Sequence, residues 1–173
     1  KDDEDSLKPN IDYVISAAQS ISKVIKKKQM ILIESTCPVG TTLKVHNLIK
    51  KNTNLKDGDF SIAYCPERVL PGNILSELVC NDRVVGGISK SDSSKAKNFY
   101  KTFCKGKILK TNEKTAELVK LTENSFRDVN IAFANELSII CNSLEIDVSE
   151  LINLANHHPR VNILNPGAGV GGH

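Results

Sequence analysis

Apolar residues at Val14, Ile15, Ala18, Ile21 and Val24 recur at helical spacing, so residues 12–28 are predicted to form an amphipathic helix. Residues 30–34 (MILIE) follow as a short buried strand, stopped by the turn Ser35-Thr36-Cys37-Pro38-Val39-Gly40. A second helix starts at Thr41 or Thr42, either of them suited to cap it, and runs toward residue 51. Residues 60–64 (FSIAY), 83–88 (RVVGGI) and 107–110 (KILK) read as further strands, with a helix over about 91–104. Alternation of this kind implies right-handed crossovers and a mostly parallel sheet, an α/β class of fold. The strand order stays open at this stage.

The pattern changes at residue 114. Leu118, Thr122, Phe126, Val129, Phe133, Leu137, Ile140 and Leu144 are spaced 4-4-3-4-4-3-4, one continuous stripe on a long helix over about 114–144. Ile131, Ala132, Ala134 and Ile139 are apolar off that stripe. A helix apolar on most sides has to be covered on most sides, by a larger domain or by a second copy of the chain. A shorter helix is expected over 148–155. The charged opening KDDEDSLKPN and the closing PGAGVGGH read as the ends of a segment of a longer protein.

Composition narrows the function classes. The 173 residues are 40% apolar and 25% charged, with a net charge of +3, enough for one domain and part of a second. No apolar run approaches the roughly 18–20 residues of a membrane span, and no signal-peptide pattern is present. The positive charge is spread along the chain and aromatics are scarce, which argues against nucleic-acid binding. Five cysteines without a C-x-x-C spacing imply reduced thiols in a cytoplasmic protein rather than a disulfide or zinc framework.

Two strand exits share one design. ILIEST-CP and IAY-CP-ER both leave a strand and turn on Cys-Pro, which places Thr36 and Glu67 beyond carboxyl strand ends, where α/β folds bind ligands. The helix start at Thr41–Thr42 offers free N–H groups to an anion. On the long helix, Lys120, Asn124 and Arg127 fall within roughly 60° of one another at 100° per residue. That row lies opposite the apolar stripe, so a solvated helix face is the alternative to a site. Gly167, Gly169 and Gly172 match G-x-G-x-x-G literally, but no strand precedes them and no helix follows, so a loop approaching a ligand fits better. His157, His158 and His173 lack carboxylates at ligand spacing, and no metal site is expected.

The segments ESTCPVGTT, YCPERVLPGN, NDRVVGG, TAELVKLTENSFRDVNIAFANE and HPRVNILNPGAGVGGH together resemble the UDP-glucose/GDP-mannose dehydrogenase family of nucleotide-sugar 6-dehydrogenases. The CPERVLPG and HPRVN wording is most similar to the branch that oxidises UDP-N-acetyl-D-mannosamine. Pro71, where the UDP-glucose branch carries a second glutamate, favours the same branch. The resemblance implies that residues 1–112 are the later part of an NAD-binding domain with a Rossmann-like doubly wound sheet. Residues 113–173 would then be a central helical dimerisation region ending in a glycine-rich active-site loop. The fingerprint βαβ unit would precede this chain; the nucleophilic cysteine would follow GVGGH, with a UDP-binding domain beyond.

The family oxidises a sugar C6 alcohol to the carboxylate with two NAD, through an aldehyde and a cysteine thioester, for surface-polysaccharide precursors. Carried over by motif, Lys120 is similar to the acid/base or oxyanion-stabilising residue, Asn124 to its orienting partner, and Glu67 to the carboxylate assisting thioester hydrolysis. Thr36 resembles the residue touching the nicotinamide or the catalytic water. Arg68, Val69, Arg127, His158, Arg160 and Gly171 resemble substrate contacts, His158 and Arg160 reaching across a homodimer interface. The resemblance also allows UDP-glucose, UDP-N-acetylglucosamine or GDP-mannose as the substrate, or a catalytically incomplete dimerising fragment.

Overall fold

The computed structural model describes residues 9–69 and 72–165. Among them, the elements run α1 (Asp12–Ser22), β1 (Met30–Ile33), α2 (Thr41–Asn52), β2 (Ser61–Tyr64), α3 (Ile74–Cys80), β3 (Arg83–Gly87), α4 (Lys90–Tyr100), β4 (Ile108–Asn112), α5 (Glu113–Ser143) and α6 (Val148–Ala155). The chain divides into two compact units, Lys1–Leu121 and Thr122–His173, with α5 contributing to both.

The first unit is a four-stranded sheet in the order β1-β2-β3-β4. β1 and β2 run parallel (Ile33 opposite Tyr64), as do β3 and β4 (Arg83 opposite Ile108), whereas β2 and β3 are antiparallel. The period-2 alternation of strand side chains builds a core on each face. Ile62 and Tyr64 of β2 and Val84 of β3 join Val45, Ile49, Ala18 and Ala116 on one side. Ala63, Cys65 and Val85 join Ala96, Tyr100 and Ile108 on the other. α4 begins on a full capping box, the Ser89 hydroxyl accepting from Asp92 N–H while the Asp92 carboxylate accepts from Ser89 N–H.

α1 ends six residues before the predicted limit, and α3 was not foreseen. Gly86 and Gly87 let the β4–α5 and α4 backbones come close. A Cβ on Gly86 would meet the Asn112 carbonyl oxygen at 2.2 Å and Ala116 Cβ at 2.6 Å. Gly86→Ala is therefore expected to destabilise the fold by about 1–3 kcal/mol or more, read as a lower urea midpoint; an unchanged midpoint would contradict this packing.

In the second unit, Ala134 and Cys141 of α5 and Ile152 of α6 are buried. Asp147 caps α6 by accepting from Ser149 and Glu150 N–H. Two asparagines hold the loop that follows α6. Asn130 accepts from Leu164 N–H and donates to the Asn162 carbonyl; Asn156 accepts from Ile163 N–H and donates to its carbonyl.

Candidate active site

Because β1 and β2 are parallel neighbours, their carboxyl ends leave the sheet side by side. The pairing continues past the strands, with Cys65 N–H donating to the Ile33 carbonyl at 2.9 Å and Glu67 N–H to the Glu34 carbonyl at 3.4 Å. The Thr36 turn and the Pro66-Glu67-Arg68 turn therefore emerge together, and the side chains of Thr36 and Glu67 are both exposed there.

The start of α5 ties both exits together. Lys120 is half-buried, and its Nζ donates to the Glu67 carbonyl at 2.7 Å. One turn earlier, Glu117 is fully buried. Its Oε2 accepts from Gly40 N–H at 2.6 Å, and its Oε1 accepts from both the N–H and the hydroxyl of Thr42 at 2.7 Å. Residues three apart share a helix face, so one face of α5 holds one strand exit through Glu117 and the other through Lys120.

This arrangement corrects two expectations for α2. Neither Thr41 nor Thr42 is its N-cap; that position is Gly40, at φ +94°, and no side chain of its own caps the helix. The Thr41 hydroxyl instead donates to the Pro38 carbonyl at 2.6 Å, closing the turn. The helix start does attract an anion, but that anion is Glu117, on the N–H groups of Gly40 and Thr42, while Thr41 N–H donates to the Pro38 carbonyl, so these three are not left for a ligand. The sequence carries one signal for Glu117: a charge next to Ala116 among positions spaced to face the core. Its partners, 75 to 77 residues away, lie beyond any local pattern.

Behind the second exit, the Arg83 guanidinium is buried over the Tyr100 ring, 4.7 Å from its centroid, and donates to the Leu78 carbonyl at 3.1 Å. The Tyr100 hydroxyl donates to Glu34 Oε1 at 2.6 Å. Arg68 Nη1 reaches the Asp82 carbonyl at 3.3 Å, and Val69 is half-buried. Glu34, Glu67, Arg68, Val69 and Arg83 line one small cleft. A larger cleft, of about 480 Å³, opens beyond Gly87 and Asn112; because β3 runs against β2, it lies at the opposite end of the sheet from the two exits.

The cysteines at the exits are buried, which disfavours their thiolate forms. Burial pushes the Cys37 thiol up, and the Glu117 charge adds to this, with the nearby Thr41 and Tyr64 hydroxyls opposing it. Burial likewise raises the Cys65 thiol, with Tyr100 and Arg83 opposing. Burial also lifts the Tyr64 hydroxyl far above the usual phenol range, with Cys37 and Glu117 adding to it. Thiols held neutral and enclosed react slowly. Iodoacetamide at neutral pH is expected to label exposed Cys80 and to spare Cys37, Cys65, Cys104 and Cys141 until the protein is denatured. Labelling of Cys37 or Cys65 at the rate of Cys80 would contradict their burial.

Asn124 and Arg127 belong to the second unit, further along α5, where both are exposed. His158 and Arg160 are exposed on the loop after α6, and His158 Nδ1 accepts from Arg160 N–H at 3.3 Å. Gly171, Pro71 and the glycine-rich segment lie outside the described residues. Among the described residues, no group of three or more His, Cys, Asp or Glu side chains is placed to hold a metal ion, and no helix is long and apolar enough to cross a membrane.

Residues 1–104 match the NAD-binding domain of the UDP-glucose/GDP-mannose dehydrogenase family, and residues 114–173 match its central domain. The chain belongs to that family. It is 52% identical to a UDP-N-acetyl-D-mannosamine dehydrogenase of Campylobacter jejuni, over 98% of this chain and 44% of that protein. The same-named protein of Escherichia coli K12 is 55% identical, over 95% of this chain and 41% of its own length. The solved UDP-D-ManNAc dehydrogenase of Pyrococcus horikoshii superposes with a TM-score of 0.91 at 47% identity, covering 96% of this chain and 40% of that one. The chain thus spans less than half the length of the curated relatives it matches. As a member of this dehydrogenase family it has the α/β fold expected from its strand and helix alternation, in the Rossmann-like form that the family resemblance implied.

Proposed function

We propose that this chain is the later NAD-binding portion and the central region of an NAD-dependent dehydrogenase that oxidises C6 of UDP-N-acetyl-D-mannosamine to the carboxylate. On this reading residues 1–112 complete the NAD-binding domain, and residues 113–173 form the dimerisation region with its glycine-rich loop. The observation that carries the reading is the Lys120 ammonium, held at the Glu67 turn beside the Thr36 turn, beyond the carboxyl ends of two parallel strands. The relatives at 52–55% identity supply the choice of sugar nucleotide.

NAD supplies the oxidising power, one equivalent for each of the two oxidations. The exposed Thr36 turn suits its nicotinamide end. The Gly40 and Thr42 N–H groups at the start of α2 are already taken by Glu117, so those two do not serve its phosphates. Lys120 takes the C6 hydroxyl proton as the free amine, or as the ammonium holds the oxyanion that forms at that oxygen; a positioned group of this kind is worth about 10²–10⁴-fold in rate. Asn124 orients Lys120. The thiol of a cysteine outside the five of this chain adds to the C6 aldehyde as a thiohemiacetal, which keeps it bound between the two oxidations, and the second oxidation converts that adduct to the thioester. Water then cleaves the thioester with assistance from the Glu67 carboxylate, releasing the sugar acid and the free thiol. Arg68, Val69, Arg127, His158, Arg160 and Gly171 contact the sugar nucleotide.

The protein works in the cytoplasm on a soluble substrate, as a homodimer or higher homo-oligomer, without membrane or nucleic-acid partners. β1, an apolar edge strand among the described residues, also suits a chain whose sheet continues in a longer polypeptide. Assay of that polypeptide on four nucleotide sugars tests the substrate. Reduction of NAD is expected with UDP-N-acetyl-D-mannosamine, two equivalents per sugar. Turnover of only UDP-glucose, UDP-N-acetylglucosamine or GDP-mannose would replace the substrate while leaving the chemistry.

A further inference from the structure

The buried carboxylate of Glu117 has no part in the reaction as described, yet it is the described tie between the first strand exit and α5. We propose that Glu117 is a positioning residue that fixes the turn over residues 35–40, and with it Thr36, against the helix that presents Lys120. The proposal rests on the dehydrogenase reading above.

Three donors converge on two oxygens: Gly40 N–H on one, Thr42 N–H and the Thr42 hydroxyl on the other. A carboxylate is an acceptor on both oxygens, so it meets this demand completely. Charge-assisted bonds of 2.6–2.7 Å also hold geometry more firmly than neutral ones. The turn closes on itself through Thr41 and Pro38 and enters α2 at left-handed Gly40, so it moves as one body with the start of that helix. Glu117 grips that body at Gly40 and Thr42. Lys120, one turn along α5, grips the other exit at Glu67. The distance between Thr36 and the Lys120 amine is therefore set by two side chains of one rigid helical turn. Reactions needing two groups at a fixed separation lose rate when that separation drifts; a misplacement near 1 Å costs about 10²-fold.

Glu117→Gln tests this in the full-length enzyme. The glutamine offers one acceptor oxygen, and its NH₂ would face an N–H donor. The expected result is a fall of about 10²-fold in kcat, with KM for the sugar nucleotide within about twofold of the unmutated enzyme. A purely structural residue would lower the melting temperature and the folded yield and leave kcat per folded molecule unchanged. Thr42→Val, which removes only the hydroxyl bond, covers the case of a Glu117→Gln that does not fold. Thr42→Val should lower kcat several-fold, and Thr42→Ser, which keeps the hydroxyl, should restore it. Normal kcat in folded Glu117→Gln, or equal rates in Thr42→Val and Thr42→Ser, overturns the positioning role and leaves the dehydrogenase reading standing. An unmutated enzyme that oxidises no nucleotide sugar overturns both.

Discussion

Lys120→Ala is expected to lower kcat for UDP-sugar oxidation by about 10²–10⁴-fold in the full-length enzyme, the range for losing a general acid–base group. The side chain is half-buried and already fixed, its ammonium 2.7 Å from the Glu67 carbonyl. Its single described hydrogen bond goes to a turn that Arg68, Glu34 and the Arg83–Tyr100 pair anchor independently. Removing the amine should therefore spare the fold, and the melting temperature should shift by only a few degrees. The loss should fall on kcat rather than on KM for the sugar nucleotide, because the amine is proposed to act on the reacting oxygen and not on the UDP. A near-normal rate in a folded Lys120→Ala variant would remove the lysine from the chemistry.

The second large effect concerns assembly. Phe133 is 52% exposed and Val129 69% exposed within one chain, and Phe126, Ile140 and Leu144 of the same stripe are exposed as well. An apolar face of this kind on one helix suits a docking surface, and in the proposed homodimer the second copy covers it. Phe133→Asp places a charge in the middle of that face without touching Ala134 or Cys141, the residues of this stretch that are buried within the chain. The expected outcome is a folded protein that elutes as a monomer in light-scattering chromatography. Its activity should be lost as well, since His158 and Arg160 are proposed to reach the substrate across the interface. A fully active dimer carrying this change would contradict the interface.

Much of the first unit was legible because its signals are local. Short apolar runs gave β1, β2 and β3 within a residue or two, and the 4-4-3 stripe gave α5 almost to its ends. α3 was missed because seven residues, ILSELVC, are too few to display a helical period. The antiparallel β2–β3 pairing was not legible either, since strand order is a property of distant segments meeting. The site divides along the same line. Thr36 and Glu67 could be read from two strands that each end in Cys-Pro. The contact of Lys120 with the Glu67 turn joins residues 53 apart, and Glu117 reaches 75 and more, so no window of sequence contains either. The cap of α2 failed for the same reason. Local rules offered a threonine, whereas a carboxylate from α5 takes the place of an N-cap side chain and uses the N–H groups that had been expected to attract a ligand.

The most direct test is a crystal structure of the full-length enzyme with NAD and the UDP-sugar bound. Nζ of Lys120 should lie about 2.6–3.2 Å from the oxygen on C6, within reach of the proton it moves. Finding that oxygen far from Lys120, with the ammonium still bound only to the Glu67 carbonyl, would contradict the assignment of the reaction to these two strand exits.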